Sequence, residues 1–281
     1  MSANAGGEGG GTNGKARDYG EVEARLRGLD SRHIKAAVIG EVVETYSIHA
    51  LEFGNRGEGG DKREILLTGG VHGDEPAGVE AVLRFLEGPG EEFLDCFVFT
   101  VIPCVNPSGF ELNTRVNSRD QDINRSMSAD DVEEAVLLRQ FLAGKCFDVF
   151  IDLHEDYEAT GFYMYEAERQ NRLIGARIVE AIKKIGAVDG AENSDEGLDL
   201  PISEGLFGIN PNWRDKGFSA YAYYENSNHV VLCETPSTAW PLDQRVEAHL
   251  TAVSITLDHY RTSAYPDSIS AKNYSARFCF R

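Results

Sequence analysis

Four short oily runs most constrain this chain: REILLTGG at 63–70, CFVFTVIPCV at 96–105, FDVFIDLHED at 147–156 and HVVLCETP at 229–236. Each is bounded by Gly, Pro or a polar loop, and such short apolar runs read as strands buried on both faces. Between and after them, residues 76–87, 130–142, 170–186 and 242–260 carry apolar side chains at helical spacing. Strands alternating with helices predict an α/β fold: a single domain with a mixed, mostly parallel, twisted β-sheet and helices on both faces. Ahead of this core a helix is expected from Tyr19, then two strand-like runs, AAVIGEVV and SIHALEFG. Residues 108–128 and 189–220 read as polar or long loops. Residues 1–16 are rich in Gly, Ser and Asn without periodicity and are expected to be a disordered tail, which leaves 17–281 as the folded domain.

Composition narrows the partners. A net charge of −19 and a pI near 4.7 oppose nucleic-acid or anionic-membrane binding, either of which needs a basic field. No window has the ~18 consecutive apolar residues of a membrane span, and no signal-peptide pattern opens the chain, so a cytoplasmic protein without membrane attachment is expected. The five cysteines (Cys96, Cys104, Cys146, Cys233, Cys279) are scattered and mostly embedded in apolar runs, as suits buried reduced thiols.

Chemistry concentrates where the oily runs stop. After REILLTGG comes VHGDEPAG, in which Gly69 and Gly70 end the strand and Pro76 suits the first turn of a helix. His72 and Glu75 therefore sit at a strand-to-helix corner, where α/β proteins place ligands. An imidazole and a carboxylate three apart can meet one divalent cation, or can simply cap and solvate the helix start. FDVFIDLHED ends in His154, with Asp152 two residues earlier on the same strand face, so both can point at one site. His72, Glu75 and His154 together form a three-ligand set with a fourth position open, the pattern of a catalytic zinc site. Glu234 ends the last oily run, where an unpaired buried carboxylate would cost several kcal/mol unless it has a purpose or leaves the sheet edge.

With these motifs in order (GGVHGDE, NPSGFELNTRVNSRDQDINR, IDLHED, CETP), the chain resembles the zinc metallocarboxypeptidases of the pancreatic type, and especially their compact bacterial relatives that trim murein peptides. The likeness runs from about Arg63 to His259. It implies one zinc per chain held by His72, Glu75 and His154, with Glu234 as the general base that activates the water and protonates the leaving amine. It also implies that Asn124 and Arg125 grip a substrate carboxylate, that Asp122 orients the first zinc histidine, and that an upstream arginine polarises the scissile carbonyl. Both Arg115 and Arg119 are candidates for that last role, with Arg115 favoured by its TRVN context. The expected activity is hydrolysis of an amide bond next to a free carboxylate, in small peptides.

The chain departs from the resemblance in places. After Arg125 the relatives continue Asn, Phe, Pro, whereas here stand Ser126, Met127 and Ser128. The mobile tyrosine of the pancreatic enzymes has no clear counterpart among Tyr221, Tyr223 and Tyr224. His33, His49, His229, His249 and His259 match no motif and read as surface or helix-face residues. An alternative is an N-acyl amino acid deacylase like aspartoacylase or succinylglutamate desuccinylase, which shares the zinc set, the Asn-Arg pair and the glutamate. Those relatives carry a β-rich domain after the glutamate; residues 235–281 leave little room for one beside the 242–260 helix, which favours the carboxypeptidase. A non-catalytic zinc-binding or peptide-binding module is the third reading, and it would have no use for the proton shuttle at Glu234.

Overall fold

In the computed structural model the described residues are 17–30, 32–43, 45–56, 62–189, 200–215 and 217–262, so the expected disordered tail lies outside them. Among the described residues nine strands form one sheet: β1 (Ile34–Val42), β2 (Tyr46–Phe53), β3 (Arg63–Gly69), β4 (Phe97–Ile102), β5 (Val149–Asp156), β6 (Tyr163–Glu168), β7 (Leu200–Ser203), β8 (Leu206–Gly208) and β9 (His229–Pro236), in the order β1-β2-β4-β3-β5-β9-β6-β8-β7. The four oily runs are its centre. β4, β3, β5 and β9 are mutually parallel, while the pairings β1/β2, β2/β4, β6/β9 and β7/β8 are antiparallel. The sheet is thus mixed with a parallel core.

The parallel strands need cover on both faces, and alternate side chains find it. Ile65, Leu67, Ile151, Leu153, Val231 and Cys233 pack with α1 (Tyr19–Gly28), α2 (Pro76–Leu86), α5 (Gly175–Ile182) and α7 (Leu242–Thr262). Leu66, Phe150 and Val230 face the other way, towards α4 (Glu133–Leu142) and α6 (Phe218–Glu225). On that second side the fully buried rings of Phe150 and Phe218 lie 5.0 Å apart and fix the start of α6 against β5.

Two glycines let α2 come down onto the strand ends. Gly70 turns the chain with φ of 62°, a left-handed conformation that strains most other residues. At Gly78 a Cβ would stand 2.4 Å from the Leu153 carbonyl oxygen, so only glycine lets the first turns of α2 rest on β5. Glu75, the residue that begins α2, is carried to the end of β5 by this contact.

Several expectations need correction. Residues 189–220 are not one long loop: β7, β8, a 3-10 turn at Pro211–Trp213 and the start of α6 lie there, because short apolar pieces such as Leu206–Phe207 are enough to extend a sheet edge. The segment 108–128 opens inside a helix, α3 (Pro107–Leu112), capped by the Asn106 side chain accepting from Gly109 N–H. β6 was not anticipated, although FYMYEAE alternates in burial along its length. Cys96, Cys104 and Cys233 are free, but exposed Cys146 is disulfide-bonded. His229 and His249 are fully buried rather than surface residues; His229 accepts a place between Glu166 Oε1 and the Tyr260 hydroxyl, both at 2.8 Å. Among the described residues no helix is long and apolar enough to cross a membrane.

His249, on α7, lies 3.2 Å from the Thr235 hydroxyl behind the end of β9, and burial pushes its pKa down to about 3. The folded protein therefore keeps this ring neutral while the unfolded chain takes up a proton below its ordinary value near ~6.5. Stability is expected to fall as pH drops from about 6.5 towards 3, and His249→Gln should flatten that limb. Denaturant unfolding of both proteins across this range checks it; parallel curves would remove His249 as a cause.

Candidate metal centre and cleft

The site lies at the carboxyl ends of β3, β5 and β9, in a cleft of about 740 Å³. The strand register does much of the assembly. His154 of β5 is paired directly with Glu234 of β9, and Asp152 with Leu232, so these four side chains share one face. The turn after β3 delivers His72 and Glu75 opposite them.

His72, Glu75 and His154 are all buried, and their ligand atoms lie within 4.8 Å of one another. The Nδ1 atoms of the two imidazoles are 3.3 Å apart, Glu75 Oε2 is 2.9 Å from His154 Nδ1, and Glu75 Oε1 contacts His72 Nδ1. Each imidazole turns its other nitrogen to an aspartate: His154 Nε2 is 3.1 Å from Asp152 Oδ2, and His72 Nε2 is 3.7 Å from Asp122 Oδ1. The Asp152 carboxylate holds the N–H of His154 on Nε2 and aims its Nδ1 lone pair into the cradle, while Asp122 stands near His72 Nε2 beyond hydrogen-bond distance.

The donor set fits a divalent cation. Two imidazole nitrogens and a carboxylate converge in a buried space, a donor set that a divalent cation would suit. The electrostatics of the residues favour positive charge here. Burial opposes the His154 cation, yet Asp152 and Glu75 raise its pKa well above the usual imidazole range. Burial would likewise raise Glu75, but His72 and His154 pull it far below the ordinary carboxylate range.

Supports behind the ligands are well connected. Asp152 accepts from the Thr68 hydroxyl at 2.6 Å and the Ser219 hydroxyl at 2.7 Å. Glu155 accepts from Ala77 N–H at 2.6 Å and pairs with Arg245 of α7, tying the first turn of α2, and hence Glu75, to β5; its own burial pushes its pKa up to about 7 against the pull of Arg245. Sequence reasoning put Asp152 on the right face without giving it a role and passed over Thr68, Ser219 and Glu155. Only the two-residue spacing of Asp152 and His154 signalled any of them.

The loop before α4 brings the charged residues. Asn117, buried, organises it: its Oδ1 accepts from the N–H groups of Arg119 and Gln121 at 3.0 Å, and its amide donates to Glu134 Oε2 at 3.0 Å. Arg115 then reaches into the cleft, with Nε 3.0 Å from Asp122 Oδ2 and Nη1 3.4 Å from His72 Nδ1. Asp122 also accepts from Arg125 N–H at 3.0 Å; burial would raise its pKa, but His72 and Arg115 hold it well below the usual range. Asn124 and Arg125 line the cleft, Asn124 with its side-chain oxygen fixed by Phe218 N–H at 2.7 Å. Arg119 is not among the cleft-lining residues. It lies at the surface, 2.9 Å from Glu133 Oε1, because the turn at Asn117–Gln121 sends it outward; this separates the two arginine candidates. Nor do Ser126, Met127 or Ser128 line the cleft: Met127 is fully buried in the core and Ser128 bonds Asp215 at 3.0 Å.

Glu234 faces the cradle from β9. It is partly accessible through the cleft but surrounded by protein otherwise, and this burial raises its pKa well above the carboxylate range. His154 and Arg115 oppose the shift, Glu75 and Asp156 reinforce it. A carboxyl facing a metal cradle from a neighbouring strand is placed to exchange a proton with a group held there. Tyr163, its partner across the antiparallel β6/β9 register, donates its hydroxyl to Asp156 at 2.8 Å.

Known proteins share this fold. Residues 61–198 match the family model of the succinylglutamate desuccinylase/aspartoacylase catalytic domain. Among solved structures, a candidate metallopeptidase from Shewanella denitrificans superposes with a TM-score of 0.74 at 23% identity, covering 86% of this chain and 90% of that one. A metallo-carboxypeptidase from Burkholderia cenocepacia gives 0.65 at 19% identity, covering 86% and 68%. A metallo-carboxypeptidase from Pseudomonas aeruginosa, solved with (2-guanidinoethylmercapto)succinic acid, gives 0.61 at 17% identity, covering 85% and 67%. At these identities the likeness establishes the fold. No curated protein matches the sequence.

Two outcomes are expected at the cradle. His154→Ala should abolish stoichiometric binding of a divalent cation, measured by metal analysis after dialysis. Asp152→Asn should keep the ligands but weaken metal affinity roughly 10–100-fold, since the imidazole loses its orienting carboxylate. Unchanged affinity in a chelator competition would show that Asp152 serves only the sheet.

Proposed function

We propose that this chain, a zinc carboxypeptidase-like protein related to the succinylglutamate desuccinylase/aspartoacylase group, is a zinc-dependent hydrolase that cleaves the amide bond next to a free carboxylate in small peptides. The observation that carries this reading is the direct pairing of His154 with Glu234 across β5/β9. It sets a carboxyl of raised proton affinity beside a buried His-Glu-His cradle in the same cleft.

His72, Glu75 and His154 would hold the zinc, which when bound polarises a carbonyl and acidifies a water. Asn124 and Arg125 grip the substrate carboxylate and so fix the scissile amide over the cradle; a planar guanidinium suits that bidentate task. Arg115 stands next to His72 and supplies positive charge to the carbonyl oxygen as it becomes an oxyanion. Glu234 takes the proton of the attacking water and delivers it to the departing amine. Asp152 holds the His154 imidazole in the ligating tautomer, and Asp122 stands near His72.

The family match favours a second reading, an N-acyl amino acid deacylase, which uses the same clamp and base on a different acyl group. A panel of C-terminal peptides and N-acyl amino acids, assayed with zinc and with chelator, separates the two. Loss of all hydrolysis in the zinc-loaded protein would leave only a binding module.

Glu234→Gln should retain zinc and lower kcat by more than the ~10²–10⁴-fold of one acid–base group, because the residue serves both proton transfers. A variant with near wild-type kcat, or one that loses zinc, sinks the assignment. Arg125→Ala should raise KM strongly for substrates with a free carboxylate and little for amidated ones. Equal losses for both would place the clamp elsewhere.

A further inference from the structure

The turn that carries His72 and Glu75 has little of its own to hold it. Its backbone closure, from Glu75 N–H to the His72 carbonyl, is long at 3.4 Å, and the Gly73 carbonyl between the two ligands belongs to neither a strand nor a helix. Arg17, the second residue before α1, meets that carbonyl. Its Nη1 donates to Gly73 O at 3.0 Å and to Phe110 O at 3.4 Å, and its guanidinium lies 5.2 Å from the centre of the Phe110 ring. Phe110 is in the last turn of α3, whose carbonyls attract a cation. One side chain thus bridges the ligand turn to the end of α3.

The turn is also pressed onto α3. A Cβ on Gly73 would stand 1.9 Å from the Gly109 carbonyl carbon, so the two backbones are in contact and the turn cannot shift towards the helix. It can only lift away, and lifting away breaks the bond to Arg17. Arg17 is itself firmly rooted. Its N–H donates to Glu111 O at 3.2 Å, Asp18 beside it caps α1 by accepting from Gly20 N–H at 2.8 Å, and buried Tyr19 donates its hydroxyl to Ser47 O at 2.8 Å.

Charge and hydrogen bond act in opposite directions here. Burial disfavours the Arg17 cation, while Glu155 and Asp74 favour it. As a charge near the cradle, Arg17 repels a divalent cation, so its removal would tighten metal binding. As a brace on Gly73 it keeps His72 and Glu75 at ligating positions, so its removal would weaken binding. Glu155 and Asp74 offset the repulsion, which leaves the brace as the larger effect. Arg17 is not among the residues lining the cleft, so it has no direct part in the hydrolysis.

We propose that Arg17 is a positioning residue for the metal centre, fixing the His72–Glu75 turn by bracing the Gly73 carbonyl against the end of α3. The inference rests on the reading of the cradle as a metal site and is independent of which bond the protein hydrolyses.

Cobalt(II) titration of the metal-free protein tests it, because the visible absorption of this ion reports the arrangement of its ligands. Arg17→Met keeps an apolar stem on Phe110 and loses the donors; it should bind cobalt roughly tenfold more weakly, with an altered band shape. Arg17→Lys, which keeps a cation able to donate to the carbonyls, should bind within about threefold of the unmodified protein. Arg25→Ala is the control, since Arg25 joins α1 to Glu80 and Glu87 on α2 and at its end without touching Gly73. It should lower the unfolding temperature of the metal-free protein and leave cobalt affinity within about twofold. Unchanged or tighter cobalt binding in Arg17→Met overturns the inference, and so does an equal loss in Arg17→Lys or in Arg25→Ala, the last of which would make the docking of α1 as a whole responsible. Unmodified protein that takes up no cobalt sinks the metal reading of the cradle and this inference with it. A cobalt site that depends on Arg17 in a protein without amide hydrolysis sinks only the proposed hydrolase.

Discussion

Two imidazole lone pairs and a carboxylate forced together in a buried space are the constraint around which this molecule is organised. Such a set forgoes hydration, and a positive charge among the three, a proton or a divalent cation, stabilises it. The raised pKa of His154 and the depressed pKa of Glu75 are two expressions of that demand. Every element near the site holds the three groups in place.

That restraint has several independent parts. The glycine contact at Gly78 seats α2 on β5, and Glu155 fastens the first turn of α2 from the β5 side while Arg245 of α7 fastens Glu155. Asp152 is anchored by one hydroxyl from β3 and another from α6, so the His154 ring is oriented from both neighbouring layers. Phe150 against Phe218 makes the α6 contact durable, since it buries two rings at the point where Ser219 must stay in reach. A rigid ligand cage on strand ends is what a reacting centre needs, because an error of an ångström in placement costs orders of magnitude in rate.

Around the cage the cleft divides by chemistry. One side is cationic, with Arg115 and Arg125 presented by a loop that Asn117 folds. The opposite side carries aromatic rings from Tyr163 to Trp213, with the Tyr163 hydroxyl donating to Asp156. Glu234 stands at the boundary, on the strand shared by the cradle and the aromatic wall.

The sequence by itself determined the parallel centre of the sheet and the residues of the cradle. Both follow from local rules: oily runs must be buried on two faces, and chemistry-bearing residues at the ends of such runs share one sheet edge. Asn124, Arg125 and Asp122 came from the resemblance to the carboxypeptidases rather than from any local rule, and the resemblance did not choose between Arg115 and Arg119, the latter turned outward by the loop that Asn117 closes. Tertiary structure alone decided the supports and the walls. Thr68, Ser219 and Glu155 act across elements that are 67 to 84 residues apart in the chain, and Tyr165, Phe207 and Trp213 meet only because short edge strands pair beyond β9. Such partners carry no spacing signal, since their contacts come from strand register and helix docking rather than from neighbours along the chain.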